Sequence, residues 1–196
     1  MIFPVVTAAY YGLFKWKGYG LPTDFVWFEN YRIIFNDGDF IDALRHNGFI
    51  LVMSLVMQGP LAVLVALLLN KKMRGRSLVR VLIFVPYVIS EVIVGVGWSL
   101  MLRTGGALDA TLESMGLGWL IRDWLADPSL AIWTLMVIIT WKYLGFAVII
   151  MLAGLQGIPE ELFEAASVDG ATFWQTQWRI TLPLLGPTIR IWAFLS

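Results

Sequence analysis

The 196-residue chain carries 14 basic and 14 acidic residues, so its formal net charge is zero, while 59% of it is hydrophobic and 10 residues are Trp. A mean hydropathy of +0.76 leaves too much apolar surface for the core of an ordinary soluble domain, and the charge balance has no basic stripe of the kind nucleic acid requires. The absence of Cys removes disulfide and thiol chemistry. What remains is an all-α chain that crosses a bilayer several times.

The elements follow in chain order. The stretch 1–14 is apolar but shorter than the roughly 20 residues a helix needs to cross the hydrocarbon core, and it reads as the end of a first helix. No basic region precedes it and no small-residue cleavage site follows, which argues against a secretory signal. Residues 15–47 form a loop. The run 49–69 is long enough to cross, and Gln58-Gly59-Pro60 interrupts its middle, either as a packing kink or as a polar contact for solute.

The segment 71–80 has five basic residues and no acid, the mark of a short cytoplasmic loop. By alternation 15–47 and 103–129 lie outside; the second holds Asp109, Glu113, Asp123 and Asp127 against Arg103 and Arg122. The run 81–102 is a second span with Glu91 at its middle, and 130–155 a third with Lys142 at its middle. A charge at bilayer centre costs about 2.5–3.5 kcal/mol on insertion scales. Glu91 is therefore expected to face a cavity, to be protonated, or to find a partner, and Lys142 is the candidate at similar depth. Trp98, Trp133 and Trp141 are candidates for lining a path through the bundle, though packing and interfacial anchoring are commoner uses of membrane Trp.

The segment 156–183 returns to the cytoplasmic side. Pro159 suits the start of a helix and Glu160 and Glu161 complement its dipole, so a helix is predicted from Pro159 to about Val168. Gly170 supplies a residue tolerant of positive φ, with Asp169 as its turn partner. Thr172 and Gln175 have capping-box spacing for a second helix from Phe173, expected to end before Pro183. The stretch 184–196 is apolar and too short to cross, and reads as the start of another helix. The chain is accordingly expected to be truncated inside helices at both ends. It contains no Gly-x-x-x-x-Gly-Lys-Ser/Thr phosphate cradle, no metal-ligand cluster and no nucleophile–base pair, and the lone His46 reads as a solvated loop residue.

The order Glu164-Ala165-Ala166, Asp169-Gly170-Ala171, Trp174-Gln175, Ile180-Thr181-Leu182-Pro183 and Pro187 resembles the cytoplasmic coupling loop of binding-protein-dependent ABC-importer permeases, in particular their carbohydrate-type branch. Phe28-Glu29-Asn30-Tyr31, Phe84-Val85-Pro86-Tyr87-Val88-Ile89-Ser90, Trp141-Lys142, Gly145-Phe146 and Leu152-Ala153-Gly154-Leu155 extend the likeness over nearly the whole chain. Gln177 departs from it where Phe is usual, and Glu91 departs where Pro is usual.

The resemblance implies a polytopic transmembrane bundle of the type I importer kind, 1–196 being part of one permease domain in the inner membrane of a prokaryote. It implies a solute path, for which Gln58, Glu91, Trp98 and Lys142 are the candidates. It also implies an ATPase-coupling loop built from Glu164, Ala165, Ala166, Asp169, Gly170, Ala171, Leu182 and Pro183. The implied partners are an ABC ATPase dimer that carries the ATP, a second and different permease subunit, an extracytoplasmic solute-binding protein and membrane lipid. No cofactor is expected on this chain. The alternatives are a permease for another small solute and a multispanning protein without transport.

Overall fold

The structure, a computed structural model, describes residues 2–71 and 74–196. Contacts divide the chain into two units, Met1–Phe49 and Ile50–Ser196. Among the described residues the regular structure is helical, apart from an isolated bridge between Phe14 and Phe25.

The first unit holds α1 (Ile2–Tyr11), α2 (Glu29–Asn36) and most of α3 (Gly38–Met53). Asn30 ties α2 to the turn after α1, its Nδ2 donating to the carbonyls of Gly12 and Phe14 at 2.9 Å each. Helix α3 begins well before the apolar run read at 49–69. Asp37 causes this: its Oδ1 accepts from the backbone N–H of Asp39 at 2.9 Å and of Phe40 at 3.3 Å, so the polar residues that follow enter a capped helix.

Past Met53 the helix does not break at Gln58-Gly59-Pro60 as expected. It widens into a π turn, Ser54–Gln58, and continues as α4 (Gly59–Asn70). The wider turn shifts the hydrogen-bond register so that Pro60 falls in the first turn of α4, where its missing N–H costs least. The whole run Gly38–Asn70 is long and apolar enough to cross a membrane.

The second unit is built around α8 (Pro128–Gln156), which is also long and apolar enough to cross. Its start is set by Asp127, whose Oδ1 accepts from Ser129 N–H at 2.9 Å and Ser129 Oγ–H at 2.6 Å. These bonds hold the Asp127 carboxyl below the ordinary carboxylate range. The core joins Ala62, Ala66 and Leu69 of α4 to Val148, Met151, Leu152 and Leu155 of α8, and to Leu185 and Trp192 of α11 (Leu182–Leu195). Small residues allow the close crossings. A Cβ on Gly59 would stand 2.8 Å from the Trp192 ring, and one on Gly154 would stand 2.8 Å from Leu185 Cδ1.

The span expected at 81–102 is not one straight helix. Helix α5 (Arg76–Val88) stops, Ile89 and Ser90 take extended geometry, and α6 (Glu91–Leu102) leaves at 94° to α5. Glu91 therefore sits in the first turn of a helix, just past the break in this apolar run. Helix α7 (Ala107–Ser114) and a short 3-10 turn, Gly118–Leu120, then lead to α8.

Candidate functional site

After α8 the chain forms α9 (Glu160–Val168), with Pro159 as its N-cap, close to the helix expected there. Gly170 ends it with φ +71°, a conformation that costs an L side chain but not glycine. The N–H groups of Gly170 and Ala171 return to the carbonyls of Ser167 and Ala166 at 3.1 and 2.9 Å, so the carbonyls of the last turn are satisfied within a tight closure.

The next helix, α10 (Phe173–Thr176), starts at the expected capping box. Gln175 N–H donates to Thr172 Oγ1 at 3.4 Å, and Thr172 N–H donates to Gln175 Oε1 at 2.7 Å. It does not stop before Pro183. A second π turn, Gln177–Thr181, carries it into α11, with Pro183 in the first turn where no N–H is needed.

These two arms frame a groove. It is lined by Ala165, Ala166, Asp169, Gly170 and Ala171 from the first arm and by Gln175, Thr176 and Arg179 from the second. Glu164 is exposed and does not line the groove, and Leu182 and Pro183 lie outside it at the start of α11. Arg179 was not legible as a groove residue, because the π turn that carries it has no clear sequence signal.

The four candidates for a solute path do not form one cluster. Gln58 is only 3% exposed, and its Oε1 accepts from Ser54 Oγ at 2.9 Å across the π turn. Lys142 and Glu91 belong to the break between α5 and α6, and Trp98 lies two turns further along α6. Lys142 is 6% exposed and its Nζ donates to the Ile89 carbonyl at 2.8 Å. Glu91 accepts instead from the Tyr143 hydroxyl at 2.5 Å. The expected Glu91–Lys142 pair is thus replaced by two separate bonds from neighbouring residues of α8. The break leaves the Ile89 carbonyl at a helix end within reach of the buried ammonium, and it places Glu91 in the first turn of α6, beside Tyr143. Trp98 meets Trp141 edge-on with ring centroids 5.5 Å apart. Tyr143 went unread beside Lys142, since nothing in the sequence pointed to its partner.

A loop closed by a left-handed glycine, following the long apolar α8 and leading into α11, is the arrangement that the family comparison addresses. Residues 58–191 match the family described as binding-protein-dependent transport system inner membrane component. The chain belongs to that family. Among binding-protein-dependent permeases it is 33% identical over 190 residues to the multiple sugar-binding transport system permease protein MsmF of Streptococcus mutans, covering 95% of this chain and 64% of that one. It is 32% identical over 203 residues to the diacetylchitobiose uptake system permease protein NgcF of Streptomyces coelicolor, covering 97% of this chain and 57% of the relative.

A crystal structure of a bacterial alginate ABC transporter, in complex with an alginate pentasaccharide-bound periplasmic protein, is similar with a TM-score of 0.74 at 32% identity. That likeness covers 83% of this chain and 57% of the transporter chain. The chain thus spans less than two thirds of the length of these relatives.

Proposed function

We propose that this chain is the greater part of a permease subunit in an ATP-driven importer, which moves a sugar or oligosaccharide across the cytoplasmic membrane by alternating access. The observation that carries the reading is the groove between α9 and α10. It brings together Ala165, Ala166, Asp169, Gly170 and Ala171 on a two-arm loop whose closure uses the positive φ of Gly170. Small side chains permit close approach of a partner, and Leu162, 40% exposed, adds apolar area for it to cover.

In this reading the loop docks on one protomer of an ABC ATPase dimer, which hydrolyses the ATP, and this chain supplies no catalytic residue. A second permease subunit completes the pathway and an extracytoplasmic binding protein delivers the solute. The loops 71–80 and 156–183 face the cytoplasm. Glu91, Trp98 and Lys142 border the path, because a helix broken inside a bilayer exposes polar ends that solutes use. Gln58, held by Ser54, keeps a packing role.

The deciding experiment is purification of the full-length permease with its cognate subunits, identification of the solute held by the binding protein, and assay of ATP hydrolysis. The expected result is a sugar ligand and hydrolysis stimulated by the loaded binding protein. A permease that purifies without an ATPase, or hydrolysis indifferent to the loaded binding protein, contradicts the proposal. Sidedness is checked with an impermeant thiol reagent: cysteine at Ser114 should react from outside, and cysteine at Lys72, which lies outside the described residues, should not.

A further inference from the structure

Two ionic groups stand at the break between α5 and α6, and only one of them is open to a solute. Lys142 is buried, its Nζ donates to the Ile89 carbonyl at 2.8 Å, and it lies 5.5 Å from the centre of the Tyr143 ring. That ammonium is spent on holding the bend. Glu91 is exposed. Its Oε1 accepts from the Tyr143 hydroxyl, while Oε2 receives no hydrogen bond among the described residues. No cation pairs with it either, the one ion pair among the described residues being that of Arg45 with Asp42.

The aromatic surroundings bear on what this carboxylate can select. Glu91 and Trp98 lie seven residues apart on one face of α6, two turns or about 10 Å along its axis. Trp98 is met edge-on by Trp141 at 5.5 Å and the Tyr143 ring by Tyr87 at 6.1 Å, with Tyr87 stacked on Phe146 at 4.9 Å. A carboxylate only accepts, so it takes hydrogen bonds from hydroxyl or ammonium groups and repels a second anion. Aromatic faces cover the C–H side of a sugar ring and attract a cation. Neutral and amino sugars fit both features. A uronate or sugar phosphate does not, because Lys142, the base at this break, is buried and already bonded.

We infer that Glu91 sets the charge class of the solute: the permease accepts neutral and amino sugars and discriminates against acidic ones. This selection rests on the transport reading, since Glu91 meets a solute only if the break borders the path.

The test measures sugar binding to the full-length permease in its assembled transporter in detergent, with the binding protein left out so that its own selectivity does not enter. Glucose, glucosamine and glucuronate share one ring and are neutral, cationic and anionic at about pH 6.5; they serve as probes in saturation-transfer difference NMR. The wild type should bind glucosamine at least as well as glucose. It should bind glucuronate roughly tenfold more weakly than glucose, the repulsion of like charges about 10 Å apart at an effective dielectric near 20. Glu91→Gln, whose amide oxygen can still accept from Tyr143, should remove the difference between glucuronate and glucose. Glu113→Gln, at an exposed acid of the segment 103–129, should behave as wild type. In the wild type, raising NaCl from about 20 to about 500 mM should narrow the difference by screening. Binding of none of the probes, glucuronate bound by the wild type as tightly as glucose, a preference that survives in Glu91→Gln, or one lost equally in Glu113→Gln overturns the role of Glu91. Failure of the transport reading shows differently, as a permease that purifies without an ATPase.

Discussion

Lys142 donates its ammonium to the carbonyl of Ile89, 53 positions earlier in the chain and at the point where α5 ends. A carbonyl freed by a helix end inside an apolar bundle has no water to turn to, so this bond makes the 94° bend tenable. Lys142→Met removes the donor and should lower stability by about 1–3 kcal/mol, the cost of an unsatisfied buried group. Lys142→Arg should retain most of it. Thermal unfolding of the full-length permease in detergent measures both, and a methionine variant as stable as wild type contradicts the capping role.

Glu91 depends on Tyr143. Glu91→Gln and Tyr143→Phe should therefore be coupled in a double-mutant cycle, by about 0.5–3 kcal/mol, and more strongly than Glu91→Gln is coupled to Lys142→Met. Unfolding free energies of the single and double variants provide the comparison. Stronger coupling of Glu91 to Lys142 would restore the direct ion pair.

What was legible in the sequence was chemistry whose cause lies within a few residues. The Gly170 closure and the Thr172–Gln175 capping box are of that kind, because a positive φ and a reciprocal cap each need only their own turn. The break at Ile89 and Ser90 was not legible in that way. Hydropathy sees only that 81–102 is apolar, whereas the bend is held by Lys142 on a distant helix, although Ser90 followed by Glu91 is itself a helix-start signal. Both prolines taken as breakers, Pro60 and Pro183, follow π turns instead. A π turn arises from packing, here around Gln58 and Gln177, and has no periodic signature of its own.

The contact of α5 with α8 is a backbone approach through Gly145. A Cβ there would strike the Ile83 carbonyl and stand 2.8 Å from Phe84 Cα. Gly145→Ala should cost about 1–3 kcal/mol through overpacking, while Gly97→Ala, with nothing within 4 Å, should be neutral or slightly stabilising. Parallel unfolding of the two variants is the check, and equal effects would remove the close approach as the cause.

Asp127 gives α8 a pH-dependent start. Its carboxyl is held below the ordinary range by Ser129, so its stabilisation is fully present above the ordinary carboxylate pKa and is lost as pH falls through the lowered value. The stability gap between wild type and Asp127→Ala should close on acidification below about pH 4. A gap that stays constant across that range means the cap is not carried by the ionised form.

The most direct test of the coupling role is Gly170→Val in the full-length permease, assayed by ATPase pull-down and by solute-stimulated ATP hydrolysis. Valine at φ +71° pays about 1–2 kcal/mol of backbone strain and adds bulk to the groove formed by α9 and α10, while the long apolar helices are untouched. The variant should reach the membrane in normal amount but lose the ATPase or its stimulated hydrolysis. Normal assembly together with normal stimulation would show that this loop is a structural hairpin and that force passes elsewhere.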